Sequence, residues 1–109
     1  MNIFGQFFAG AFLCNCIPHL ACGLQGLSFP TPFAKPRGIG DSSPLVNFFW
    51  GLFNLLAGLA LLTTFPVQIG LNAEFITVLA GAVALGVYIS THFAKVRARK
   101  RDSQCSRAE

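Results

Sequence analysis

Charge is missing from three long stretches of this chain, and that distribution constrains its fold more than any motif does. No Asp, Glu, Lys or Arg precedes Lys35, none lies between Asp41 and Glu74, and none lies between Glu74 and Lys95. The gaps hold apolar runs at Ile3 to Leu27, Leu45 to Phe65 and Leu71 to Phe93. Crossing a hydrocarbon core of about 30 Å as helix takes roughly 20 such residues, so each run is long enough. Only 11% of the 109 residues are charged and 53% are hydrophobic. A soluble domain usually carries about 25% charge, and a chain this poor in charge could not cover its core in water. The first run has no Lys or Arg ahead of it and exceeds an h-region of about 7–15 residues, so it reads as a span rather than a cleaved signal peptide.

The expected fold is an all-α integral membrane protein of three transmembrane helices. Pro18 lies inside the first run and cannot donate to the carbonyl of Cys14, which predicts a kink there. Residues 1–93 form the membrane domain, with spans at about 3–27, 45–65 and 71–93 and a hydrophilic connecting loop at 28–44. Residues 94–109 form a basic tail, with the helix continuing beyond Phe93 through Lys95 to Arg101 and disorder by composition from Asp102 onward.

Lys and Arg collect on cytoplasmic flanks. Loop 28–44 holds Lys35 and Arg37, and the tail holds Lys95, Arg97, Arg99, Lys100 and Arg101, whereas the N-terminal end and the link Pro66 to Gly70 hold none. With three spans the loop and the tail share a side. Both are basic, which predicts the N-terminus outside and the C-terminus in the cytoplasm of a plasma or bacterial inner membrane. The same seven cations are candidate contacts for anionic lipid, at about 1 kcal/mol each near the surface. Beside a span, the tail reads as a topology anchor and not as a nucleic-acid patch.

Inward faces follow from helical spacing. On the second span Asn47, Gly51, Asn54 and Gly58 recur at four, three and four, opposite Phe49, Leu52, Leu56 and Ala60. Small residues let backbones approach and Asn can bond across the contact. Ser43 before Pro44 reads as N-cap and first helical position. On the first span Gly5, Phe8, Phe12, Asn15, His19, Gly23 and Gly26 share a stripe, assigned inward because it carries Asn15 and His19. On the third span Ala82, Gly86 and Ser90 repeat every four, a face for its own chain or a second copy.

Candidate chemistry is sparse. An ionisable group inside a span is a functional hypothesis by default, so His19 is weighed as a proton carrier or ligand. The plainer reading is a neutral imidazole bonded to Asn47, Asn15 or a carbonyl freed by Pro18. Pairing His19 with His92 around a haem would need very different depths to match. Cys16, His19 and Cys22 share a spacing of three but lack a fourth zinc ligand. Glu74 reads as an interfacial residue at a helix N-terminus. The run from Lys35 to Pro44, with Gly38 and Gly40, could hold a phosphate, though no P-loop lysine follows the glycines. The four cysteines suggest no disulfide framework, and no cofactor is called for.

With no acid, base and nucleophile set, the expected function is non-enzymatic: an accessory or interaction subunit acting through helix–helix association, with the bilayer and a second copy or another membrane protein as partners. The competing reading is a small oligomeric transporter or channel with a pathway lined by Asn15, His19, Asn47 and Asn54.

Overall fold

The computed structural model describes residues 2–108, with the side chain of Ala108 left aside. It consists of three helices and one small hairpin: α1 (Ile3–Leu24), β1 (Phe29–Pro30), β2 (Asp41–Ser42), α2 (Pro44–Thr64) and α3 (Ala73–Ala108). All three helices are long and apolar enough to cross a membrane.

The helix ends follow from local chemistry. Asn2 caps α1, its Oδ1 accepting from Gly5 N at 2.8 Å. The helix stops at Leu24, short of the expected Leu27, because Gly26 turns into the left-handed region at φ 74°. Leu27 N then donates to Cys22 O and Gly26 N to Gly23 O, a Schellman closure that satisfies carbonyls the helix leaves free. Ser43 caps α2, accepting from Val46 N at 3.2 Å with Pro44 next in line. α3 begins at Ala73, two residues after the expected start, since Asn72 Oδ1 accepts from Phe75 N at 2.8 Å. Glu74 stands in that first turn, where the helix dipole favours a carboxylate.

Two expectations about the polar segments are corrected. The tail is not disordered from Asp102: α3 continues as helix to Ala108, because a helix already nucleated in the apolar stretch needs only propagation, and no Gly or Pro lies between Phe93 and Ala108. At 1.5 Å per residue its 36 residues reach about 54 Å, which accounts for the 57 Å long axis of the molecule. The loop, read as a hydrophilic connection, is a folded cap. Phe29 pairs with Ser42 and Pro30 with Asp41, antiparallel, and Phe29, Pro30, Thr31 and Ala34 are buried. Thr31 closes the cap from within, with its O accepting from Ala34 N and Gly38 N and its Oγ1 bonding Ser42 Oγ and Phe33 N.

Helix α1 lies in the middle. It packs against α2 on one side and α3 on the other, while α2 and α3 scarcely meet. Its contacts with α3 are backbone-close, since a Cβ at Gly10 would overlap the carbonyl of Val78 and one at Gly81 the carbonyl of Phe7. Against α2 the same close approach is made at Gly23, Gly51 and Gly58. Such small-residue contacts are how helices gain packing where no water drives them together. The hairpin and the second half of α3 sit at one end of the molecule, tied by His92 Nε2 to Gly38 O at 2.8 Å and by Lys100 to Asp41 at 2.8 Å. The latter pair is part-exposed and worth little. Val96, 3% exposed, packs under the hairpin.

Candidate functional site

The four residues that α2 buries are Asn47, Gly51, Asn54 and Gly58, the set spaced four, three and four. The two glycines admit Leu20 and Leu13 of α1. The two asparagines, 0% and 1% exposed, meet the polar residues of that helix.

Asn47 joins three segments. Its Nδ2 donates toward Phe29 O at 2.8 Å, Ser43 O at 3.1 Å and Ser42 O at 3.2 Å. Carbonyls only accept, so the amide nitrogen must face them and Oδ1 must face His19, whose Nδ1 is 2.8 Å away. That bond requires the proton on Nδ1. His19, 2% exposed, is therefore held with Nε2 as its free nitrogen, its ring edge-on to Phe29 and Trp50. Asn54 repeats the logic. Its Nδ2 donates to Trp50 O at 2.7 Å, which turns Oδ1 to Asn15 Nδ2 at 3.0 Å. Among the described residues Asn15 Oδ1 has no partner.

Asn15 and His19 floor a cavity of about 190 Å³ roofed by the hairpin at Pro30, Thr31, Pro32 and Gly38. Trp50 stands on its α2 side, and Tyr88, Ile89, His92 and Phe93 on its α3 side. His92 is a correction to the reading that its depth separates it from His19. The two histidines line one cavity, because α1 and α3 run parallel, with Gly10 beside Val78 and Ala82 and Cys14 beside Gly86, which brings His19 level with the turn that carries His92. Gathering of three or more His, Cys, Asp or Glu side chains into a metal-binding group does not occur among the described residues.

The remaining sites fall elsewhere. On α1, Gly5, Phe12 and Gly23 are half-buried with Asn15, but Phe8 is 51% exposed and Gly26 lies beyond the helix. The buried set is instead Gln6, Ala9, Gly10, Cys16 and His19, spread over two sides because α1 has two neighbours. Cys16 spends its thiol on Leu13 O at 2.9 Å. On α3, Ala82 and Gly86 turn toward α1, Gly86 facing the thiol of Cys14, while Ser90 is exposed and bonds Val87 O. Lys35, Arg37, Lys95, Arg97 and Arg99 are exposed at the hairpin end, as is Arg101, and Lys100 is engaged by Asp41. The sequence reading passed over Gln6, which is 2% exposed with an unpartnered Oε1, and Thr31, 1% exposed. Gln6 gave a signal, a primary amide in an apolar run.

This geometry defines the class: a three-helix fold of membrane-spanning length, with α1 central and a polar cluster locked under a hairpin. The chain matches no protein-family model, no curated protein and no solved structure.

Proposed function

We propose that this chain is a non-enzymatic, three-span membrane protein that acts by association, as an accessory or interaction subunit. The observation that carries this reading is the packing of α3. Among its buried residues are Val78, Gly81 and Val96, all on the side toward α1 and the hairpin, while Ala80 and Ala84 lie exposed one turn apart on another side. In lipid a helix gains stability from close packing against other helices, and a free small-residue face leaves room for one. The transport reading draws less support. Asn54 bonds Asn15 and Asn47 bonds His19, and both of these asparagines are sealed, so only Asn15 and His19 reach a cavity, and that cavity is roofed by the hairpin rather than continued along the bundle.

In this reading the hairpin end faces the cytoplasm, with its cations against anionic lipid, and α1 bends at Pro18. Topology is checked by single cysteines replacing Asn2 and Ser103 in a cysteine-free background. A membrane-impermeant maleimide added outside intact cells is expected to label the first and spare the second. Labelling of both from one side would remove the odd number of crossings.

The association itself is tested with Ala80→Leu and Ala84→Leu together, the purified protein being compared in mild detergent. The expected outcome is loss of at least half of the higher-mass species, whether a homo-oligomer or a complex with a co-purifying protein. An unchanged mass distribution would reject this face as the contact.

A further inference from the structure

The cavity under the hairpin has a chemical signature that association does not use. Three acceptor atoms belong to residues that line it and lack a partner among the described residues. They are Asn15 Oδ1, freed because Asn15 Nδ2 serves Asn54, and His19 Nε2, freed because Nδ1–H serves Asn47. The third is His92 Nδ1, since His92 Nε2 must donate to Gly38 O, and a neutral imidazole then carries its lone pair on the other nitrogen. His19 is 98% buried on this count, held in one tautomer by a fully buried asparagine, which is a prepared acceptor rather than a surface group.

We infer that this cavity binds the ring of a neutral, membrane-soluble aromatic alcohol, of the phenol or hydroquinone class. The three acceptors call for a ligand that brings an O–H group, and a hydroxyl can in turn accept from the N–H of Trp50 or the O–H of Tyr88, which line the same cavity. The walls are aromatic: Trp50 on one side, Phe93 and the stacked Tyr88–His92 pair on the other. Rings favour edge-on and offset contacts with further rings. The size suits one ring, since an apolar cavity of about 150 Å³ holds benzene and this one is about 190 Å³. Charge argues for neutrality. Lys35, Arg37, Lys95, Arg97 and Arg99 crowd the hairpin end, and the nearby carboxylate, Asp41, is engaged by Lys100, so an ammonium ligand would meet net repulsion.

The route of entry follows from the fold. Hairpin residues Pro30 to Pro32 and Gly38 close the end, α1 closes the floor, and α2 and α3 scarcely meet, so the way in runs between Trp50 and Tyr88. If the chain spans the bilayer as proposed above, that gap faces lipid, and a ring carrying an alkyl tail would leave the tail outside.

The test uses the full chain in phosphatidylcholine nanodiscs, with 4-decylphenol and its methyl ether, 4-decylanisole, as probes. The two share ring and tail, and the ether has no O–H. Trp50 is the sole tryptophan and stands in the wall, so its fluorescence reports occupancy, and the ¹⁵N resonances of His19 and His92 report hydrogen bonding at the acceptor nitrogens. The phenol is expected to change the fluorescence saturably and to shift the acceptor nitrogen of at least one of the two histidines, with the ether about tenfold weaker, the upper net worth of one hydrogen bond. At least one of Asn15→Ala and His92→Phe should weaken the phenol by about threefold or more while leaving the ether unchanged, in protein whose helicity is retained. Equal binding of the two probes would overturn the inference, as would a fluorescence change that rises linearly without saturation, the mark of partitioning into lipid. Unshifted histidine resonances at saturating phenol would mean the cavity holds water alone and would overturn it as well. The comparison of the two probes needs no variant, so a variant that fails to fold does not rescue the idea. Loss of phenol binding would leave the Ala80 and Ala84 result standing, and the reverse holds too.

Discussion

Replacing Asn47 by Ala is expected to destabilise the fold by roughly 2–4 kcal/mol, the largest effect of any polar substitution in the bundle. The side chain is 0% exposed and serves four groups: the His19 ring and the carbonyls of Phe29, Ser42 and Ser43. Alanine leaves His19 Nδ1–H facing a void it cannot hydrate, and a buried donor without a partner costs about 1–3 kcal/mol. The Phe29 carbonyl, at the paired edge of the hairpin, loses its shortest side-chain donor at the same time. Hydrogen bonds inside membrane bundles average nearer 0.6 kcal/mol, because the unfolded helices also find partners, so the estimate rests on the sealing of this site rather than on bond number.

The measurement is a denaturation titration in mixed micelles, paired with amide exchange at Ala34 and Gly38. Those amides donate to Thr31 O inside the cap and should exchange faster once the hairpin is loosened from α2. Asn47→Asp sharpens the outcome. The carboxylate can still accept from His19 but has no N–H for the three carbonyls, so it should recover little. A loss under 0.5 kcal/mol for Asn47→Ala, with exchange unchanged, would show that the hairpin is held by its own pairing and by His92.

Why Asn47 was legible in the sequence, and His92 was not, has a physical reason. A span that packs on one neighbour repeats its inward residues at helical spacing, and α2 packs chiefly on α1. Asn47, Gly51, Asn54 and Gly58 therefore stand out by periodicity alone. Helix α1 has neighbours on two sides, so its buried residues scatter, and a single stripe drawn through Asn15 and His19 picks up exposed Phe8 while missing Gln6 and Gly10. The hairpin was hidden for another reason. Its strands are two residues long and contain a proline, and what makes it fold is a side chain 18 residues away, since Asn47 Nδ2 bonds Phe29 O. No local pattern encodes such a contact. His92 and Tyr88 stand beside His19 because α1 and α3 run parallel with Cys14 level with Gly86, a register between helices that depth counted along a single span does not give.

The contact between α1 and α3 rests on two glycines, and enlarging either is expected to part the helices. A Cβ at Gly10 would overlap the Val78 carbonyl and lie 3.0 Å from Ala82 N, and one at Gly81 would overlap the Phe7 carbonyl. The obstacles are backbone atoms of helices, which cannot swing aside as a side chain can. Overpacking a close contact costs about 1–3 kcal/mol for small additions, and valine, branched at the same carbon, should exceed alanine at both sites. The native Cys14 supplies the reporter. A Cβ built at Gly86 lies 3.4 Å from Cys14 Sγ, close enough that Gly86→Cys, in a background without Cys16, Cys22 and Cys105, should form a disulfide under mild oxidation. Adding Gly10→Val or Gly81→Val should lower that cross-link at least fivefold, read by mass spectrometry of the intact chain. Gly26→Ala is a suitable control: its position meets nothing within 4 Å and should leave the cross-link unchanged, although its positive φ makes the α1 terminus less stable. If the valine variants cross-link as well as the parent, α3 packs on α1 through some other face. The burial of Gly81 and the orientation of the Ala80–Ala84 surface would then fall together, since both are set by the same helix rotation.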